Sequence, residues 1–106
     1  MIHIKNFVIN DPEKICFEWD DDKNELNKKK HGISFETAAL IFEDENRVEK
    51  YDYTHSQDED RYISIGMINK ILTVVHTDRS DAVRIISARL ADAGEKEQYY
   101  GQNDYY

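Results

Sequence analysis

Cysteine, proline and glycine are scarce in this chain of 106 residues, which has one cysteine, one proline and four glycines. A lone Cys16 cannot close an internal disulfide, which fits a reducing, cytoplasmic setting. It also offers no zinc motif, and its place in an apolar strand pattern is a poor one for a thiolate nucleophile. There is no G-x-G-x-x-G and no phosphate loop. The four histidines, His3, His31, His55 and His76, show no paired spacing, so neither a metal nor another cofactor is expected. No apolar run approaches the ~20 residues of a membrane span, and "MIHIKNFVIND" is too short and polar for a secretory signal. Positive charge is short too: 14 Lys and Arg stand against 22 Asp and Glu, a net charge of −8. That balance argues against broad binding to nucleic acid, leaves room for a small basic cleft, and makes a basic protein partner attractive.

What is present reads as one α+β domain over residues 1–106. Residues 1–13 form an N-terminal extension or extra strand, and "NDPEK" (10–14) is a turn fixed by Pro12. In "KICFEW", Ile15, Phe17 and Trp19 alternate with polar or small residues, the period of a half-buried strand. Asp20 then caps a helix through about Lys30, with acids at its positive end and lysines at its negative end. Gly32 is its left-handed stop, and Ser34 opens a second helix with Phe35, Ala38, Ala39 and Phe42 on one face. The second half switches to period two. "RVEKYDY" (47–53), "RYISIGM" (61–67), "ILTVVHT" (71–77) and "VRIISAR" (83–89) predict strands with short, antiparallel connections. A short helix from Leu90 to about Tyr100, weakened by Gly94, and a frayed tail over 101–106 complete the chain. The expected architecture is a small antiparallel sheet of three to four strands, two N-terminal helices and one C-terminal helix.

Candidate site residues fall in three groups. At 100° per residue, Lys23, Asn27, Lys30 and His31 share one side of the first helix, whereas Lys28 and Lys29 project elsewhere and complement the dipole. His55, Glu59 and Arg61 lie across a loop and the start of a strand. Arg79, Arg84 and Arg89 flank or interrupt apolar strand patterns, where a guanidinium needs a carboxylate or a ligand anion. His76 in "TVVHT" reads as a satisfied, partly buried histidine. The remaining Lys, Arg, His and Glu are competent for metal-free acid–base work on a phosphodiester.

Three ordered blocks resemble the BrnT-type toxins of bacterial type II toxin–antitoxin systems. "FEWDDDKNELNKKKHGISFETA" is similar to F-E-W-D-x-x-K-x-x-x-N-x-x-K-H-G-x-S-F-x-x-A. After "FEDEN" comes "HSQDEDRYISIG", similar to H-S-x-x-E-x-R-x-x-x-I-G, and then "TDRSDAVRIISARLADAGEKEQYY", similar to T-x-R…R-I-I-S-A-R-x-A-x-x-x-E-x-x-x-Y. The resemblance implies a RelE-like fold, RNA cleavage that arrests growth, and neutralisation by a DNA-binding, BrnA-like antitoxin. It also implies an operon repressed by the toxin–antitoxin complex, with operator DNA reached only through the antitoxin. On this basis Lys30, His31, Glu59, Arg61, Arg79 and Arg84 are expected to be catalytic, and Lys23, Asn27, His55 and Arg89 to bind substrate. The chain departs from the pattern at Asn69-Lys70, where the family has Gly-Arg, and in an acidic last helix, "ADAGEKEQYY". A non-catalytic interaction module and a corepressor acting through its antitoxin are the alternative readings.

Overall fold

The structure is a computed structural model and describes residues 2–5, 15–79 and 81–101. The turn expected at residues 10–14 and the tail over 102–106 lie outside the described residues. Strands β1 (Ile2–Lys5) and β2 (Phe17–Asp20) lead into helix α1 (Asp21–His31) and the short helix α2 (Phe35–Ala39). A 3-10 turn over Leu40–Glu43 follows, then β3 (Val48–Tyr51), β4 (Tyr62–Ile68), β5 (Lys70–Asp78), β6 (Val83–Leu90) and helix α3 (Ala93–Gly101).

The sheet is larger than the three to four antiparallel strands expected. It has six strands in the order β1-β2-β6-β5-β4-β3, and β2 runs parallel to β6. Short connections correctly indicate antiparallel neighbours for β3 to β6, but β2 reaches β6 by a long crossover that no local pattern records.

Local signals place most ends. The Asp20 carboxylate accepts from the N–H groups of Asp22 and Lys23 and starts α1; Gly32, at φ 72°, stops it. Ser34 caps α2 through the Thr37 N–H. The last helix begins at Ala93 rather than Leu90 because Asp92 and Glu95 form a reciprocal box: each carboxylate accepts the other's backbone N–H, at 2.8 and 2.9 Å.

One sheet face buries Phe17, Trp19, Leu72, Val74, Ile85 and Ala88 against Phe35, Ala38, Ile41 and Phe42. Each large side chain so buried contributes about 1.5–3 kcal/mol. Gly66 lets the 3-10 turn approach this closely, since a Cβ there would lie 2.8 Å from that of Ile41. The opposite face packs Ile65 and Ile71 against Ala91 and Tyr99 at the α3 end. Between β5 and β6 the register slips at Val75/His76, which pair with Ser87 and Ile85. Ile86 is therefore an extra residue, and the bulge lets Ile85 and Ala88 both reach the core although they are three apart.

Candidate active site

Alternation along the strands assembles the site. Phe17 and Trp19 point to the core, so Glu18 points to the other face; its register partner is Arg84, whose partner is Thr77. Arg61 precedes Tyr62, which pairs with His76, so it extends the same row on β4. Glu18, Arg84, Thr77 and Arg61 thus cross four strands on the face opposite the larger core. Arg79, two residues beyond Thr77, joins them: its Nε lies 3.3 Å from Glu18 Oε1, and that of Arg84 lies 3.5 Å from the same oxygen.

Two adjoining clefts open along this row and share Glu59 and Arg61. One of about 140 Å³ is completed by Asp20, Lys23, Arg84, Ile85 and the bulged Ile86. The other, about 270 Å³, is lined by Thr54, His55, Gln57 and Asp58. Three buried donors here have no hydrogen-bond acceptor: Arg61 Nε, Arg84 Nε and Thr77 Oγ1. The Arg84 Nε is within ion-pair distance of Glu18 but lacks hydrogen-bond geometry. Unsatisfied buried donors are costly, and two of these three belong to arginines that line one cleft together with Lys23, as suits an anion.

The loop between β3 and β4 is stitched shut at its base. The Asp52 N–H donates to the Arg61 carbonyl at 2.8 Å, and Ser56 Oγ donates to the Asp52 carbonyl at 2.6 Å while accepting the Arg61 N–H at 2.9 Å. Buried Asp52 also accepts from the Thr54 and His55 N–H groups and lies 3.0 Å from His55 Nδ1. A carboxylate only accepts, so Nδ1 carries a proton and Nε2 is left to act on a ligand. Asp20 lines the cleft already engaged as the helix cap; chiefly the Lys23 N–H holds its carboxyl below the usual carboxylate range.

The structure therefore gathers Lys23, Glu59, Arg61 and Arg84, sets His55 beside them, and ties Arg79 in through Glu18. It does not bring the other expected residues there. Asn27 is buried, its Nδ2 donating to the carbonyls of Ile33 and Ala88 and its Oδ1 accepting the Ala88 N–H, so both its donors are spent inside the fold. Arg89 makes two parallel bonds to Glu95, at 2.6 and 2.8 Å, and lies five residues along β6 from Arg84, about 16 Å away. Lys30 and His31 are exposed, two turns beyond Lys23 and about 10–12 Å further along the helix axis. Neither lines the clefts described above. Glu18, Asp52 and Thr77 were not among the expected site residues. Their signal was a polar residue inside an apolar strand or at its end, read for the arginines alone.

Among the described residues, Glu49, His76 and Asp78 could offer a metal three donors within 4.8 Å of one another. Both His76 nitrogens are already engaged, by Asp78 and Ser64 at 2.8 Å each.

Residues 19–95 match the model of a family described as the ribonuclease toxin BrnT of type II toxin–antitoxin systems. The crystal structure of the Brucella abortus ribonuclease toxin BrnT is similar to this chain, at 32% sequence identity and a TM-score of 0.53. The similarity covers 70% of this chain and 92% of that one. No curated protein matches significantly.

Proposed function

Because the chain belongs to the BrnT family of ribonuclease toxins of type II toxin–antitoxin systems, we propose that its arginine-lined cleft cleaves RNA without a metal ion, through the substrate's own 2′-hydroxyl. Glu59 takes the 2′-hydroxyl proton as the oxygen attacks phosphorus. The 5′-oxygen leaves with a proton from Nε2 of His55, whose ring Asp52 orients through Nδ1. Arg61, Arg84 and Lys23 balance the charge that grows on the phosphorane oxygens, with Arg79 behind them. The products are a 2′,3′-cyclic phosphate and a 5′-hydroxyl. Lys30 and His31 take no part in this step.

The observation that carries the reading is a cleft lined by Lys23, Arg61 and Arg84 in which the buried Arg61 Nε has no acceptor, beside a carboxylate and an imidazole able to move protons. The wider setting follows the family: a RelE-like toxin acting in the cytoplasm, with RNA as substrate. Its cognate DNA-binding, BrnA-like antitoxin neutralises it and carries it to operator DNA. The test is incubation of purified protein with RNA in excess EDTA. Cleavage should persist, leave cyclic-phosphate ends, and stop when the nucleotide 5′ to the break is 2′-deoxy. Arg61→Ala and Arg84→Ala should each lower the rate about 100-fold or more. Loss of activity in EDTA, or cutting of DNA, overturns the mechanism.

A further inference from the structure

Glu18 is a buried carboxylate on β2, flanked in sequence by the core aromatics Phe17 and Trp19. A charge so placed needs compensation, and two arginines from the β5–β6 end supply it through one shared oxygen, Oε1. Both approach with Nε, the inner edge of the guanidinium, at 3.3 and 3.5 Å, as ion pairs; the Arg84 contact is electrostatic, without hydrogen-bond geometry. The outer fork of each, its two Nη groups, stays available for a phosphate, which guanidinium forks bind in bidentate fashion. The side chain of Arg79 is 48% exposed and that of Arg84 22%, whereas Glu18 shows only 10%. The carboxylate therefore lies beneath the pair, and substrate meets the arginines first.

We propose that Glu18 is a positioning residue, which anchors Arg79 and Arg84 by their Nε edges so that their outer forks converge on the RNA phosphate. This inference rests on the function proposed above, since it takes the bound anion to be an RNA phosphodiester. Two effects of Glu18 have opposite signs. As a negative charge beside a polyanion it weakens binding; as an anchor it raises the rate of the chemical step. Removing its charge separates them.

In Glu18→Gln, which keeps the side chain's volume, kcat should fall 10- to 100-fold while KM for RNA stays level or drops. Glu18→Asp should recover part of kcat. The double variant Glu18→Gln/Arg84→Ala should be no slower than Arg84→Ala alone, because the anchor then holds little that matters. An unchanged kcat with a lower KM would mean that Glu18 acts only as a repelling charge and would overturn the proposal. A second measurement needs neither activity nor a variant that folds. In the 1H–15N spectrum of the unmodified protein, the Arg79 and Arg84 Nε–H signals should lie apart from those of solvated arginines. Their falling among the solvated signals also overturns the anchoring. Failure of the unmodified protein to cleave RNA would instead count against the proposed function, and the arginine spectrum would still decide the role of Glu18.

Discussion

His55 and His76 are both held through Nδ1 by an aspartate, at 3.0 and 2.8 Å, yet one side chain is 65% exposed and the other fully buried. Around His76 the Ser64 hydroxyl, the ring and Asp78 line up as a nucleophilic triad would. Ser64 is itself fully buried, so no substrate can reach it, and the relay ties β4 to β5 instead. Tyr62 stacks on the ring and Phe42 meets it edge-on, which completes its enclosure. Access, not the hydrogen-bond pattern, separates the histidine that can do chemistry from the one that cannot. Among the basic residues of α1, all exposed, position along the axis makes the division, since only Lys23 lines a cleft. Joint substitution of Lys30 and His31 by alanine should leave RNA cleavage within a few-fold, whereas His55→Ala or Asp52→Asn should lower it about 10- to 100-fold. A cleavage assay on the folded variants decides, and detoxification by the Lys30/His31 pair would place the chemistry at the wrong end of the helix.

At the scale of elements, α1 docks on the sheet without an apolar face. Its buried residues are Asn24 and Asn27, and Leu26 is left 64% exposed. Asn24 accepts the Phe35 N–H and donates to Glu36, while Asn27 spans the Ile33 and Ala88 backbone. Removing one such amide strands several buried groups at once. Asn27→Ala should therefore cost about 2–4 kcal/mol, read as a drop in melting temperature of more than about 8 °C.

Helix α3 is held by charge. Burial pushes the Glu95 carboxyl upward, but Arg89 and the Asp92 N–H outweigh it and hold it at about 2. A depressed carboxyl pKa stabilises the fold fully above its unfolded value, near 4.5, and that contribution fades as pH falls towards 2. Thermal unfolding should thus weaken across this window. Arg89→Ala should flatten the pH dependence and cost about 1–2 kcal/mol at neutral pH, a figure reduced because the arginine is partly in solvent. On the same side, burial and then the bond to Asp44 raise the Tyr99 hydroxyl to about 12, so it remains a donor at any working pH.

Over the whole molecule, the proposed function sets a net charge of −8 against a polyanionic substrate. The chain extends 45 × 32 × 29 Å, several times the Debye length of about 8 Å at physiological salt. Acids on remote faces therefore repel RNA little at the cleft. On the proposed function they are free to steer an antitoxin that, if it binds DNA, is basic somewhere. Asp44 is not part of that surface: it accepts from Asn46, Met67 and Tyr99, so its neutralisation would disturb the packing of α3. Glu43 and Glu45 beside it are exposed. Their joint change to glutamine should slow association with the antitoxin and leave dissociation nearly unchanged, and the on-rate should fall as salt rises. Stopped-flow association at several salt concentrations measures both, and a rate indifferent to salt would sink the steering argument.

Sequence alone determined what is local. Periodicity located the strands of the second half, and Asp20, Gly32 and Ser34 marked helix ends, because caps and alternation act over a few residues. The three blocks with their internal spacing carried the family, and with it the ribonuclease class. Tertiary structure decided what depends on distant partners. The parallel pairing of β2 with β6 sets Glu18 against Arg84, 66 positions away in the chain, and no window of sequence contains both. Asn27 looked like a surface ligand because a helix wheel gives direction but not what lies opposite, and what lies opposite is the Ala88 backbone of β6, beyond the stretch that pairs with β2. Lys30 and His31 stood beside Lys23 on the wheel, yet a wheel compresses the axis, and the rise of two turns carries them past the cleft.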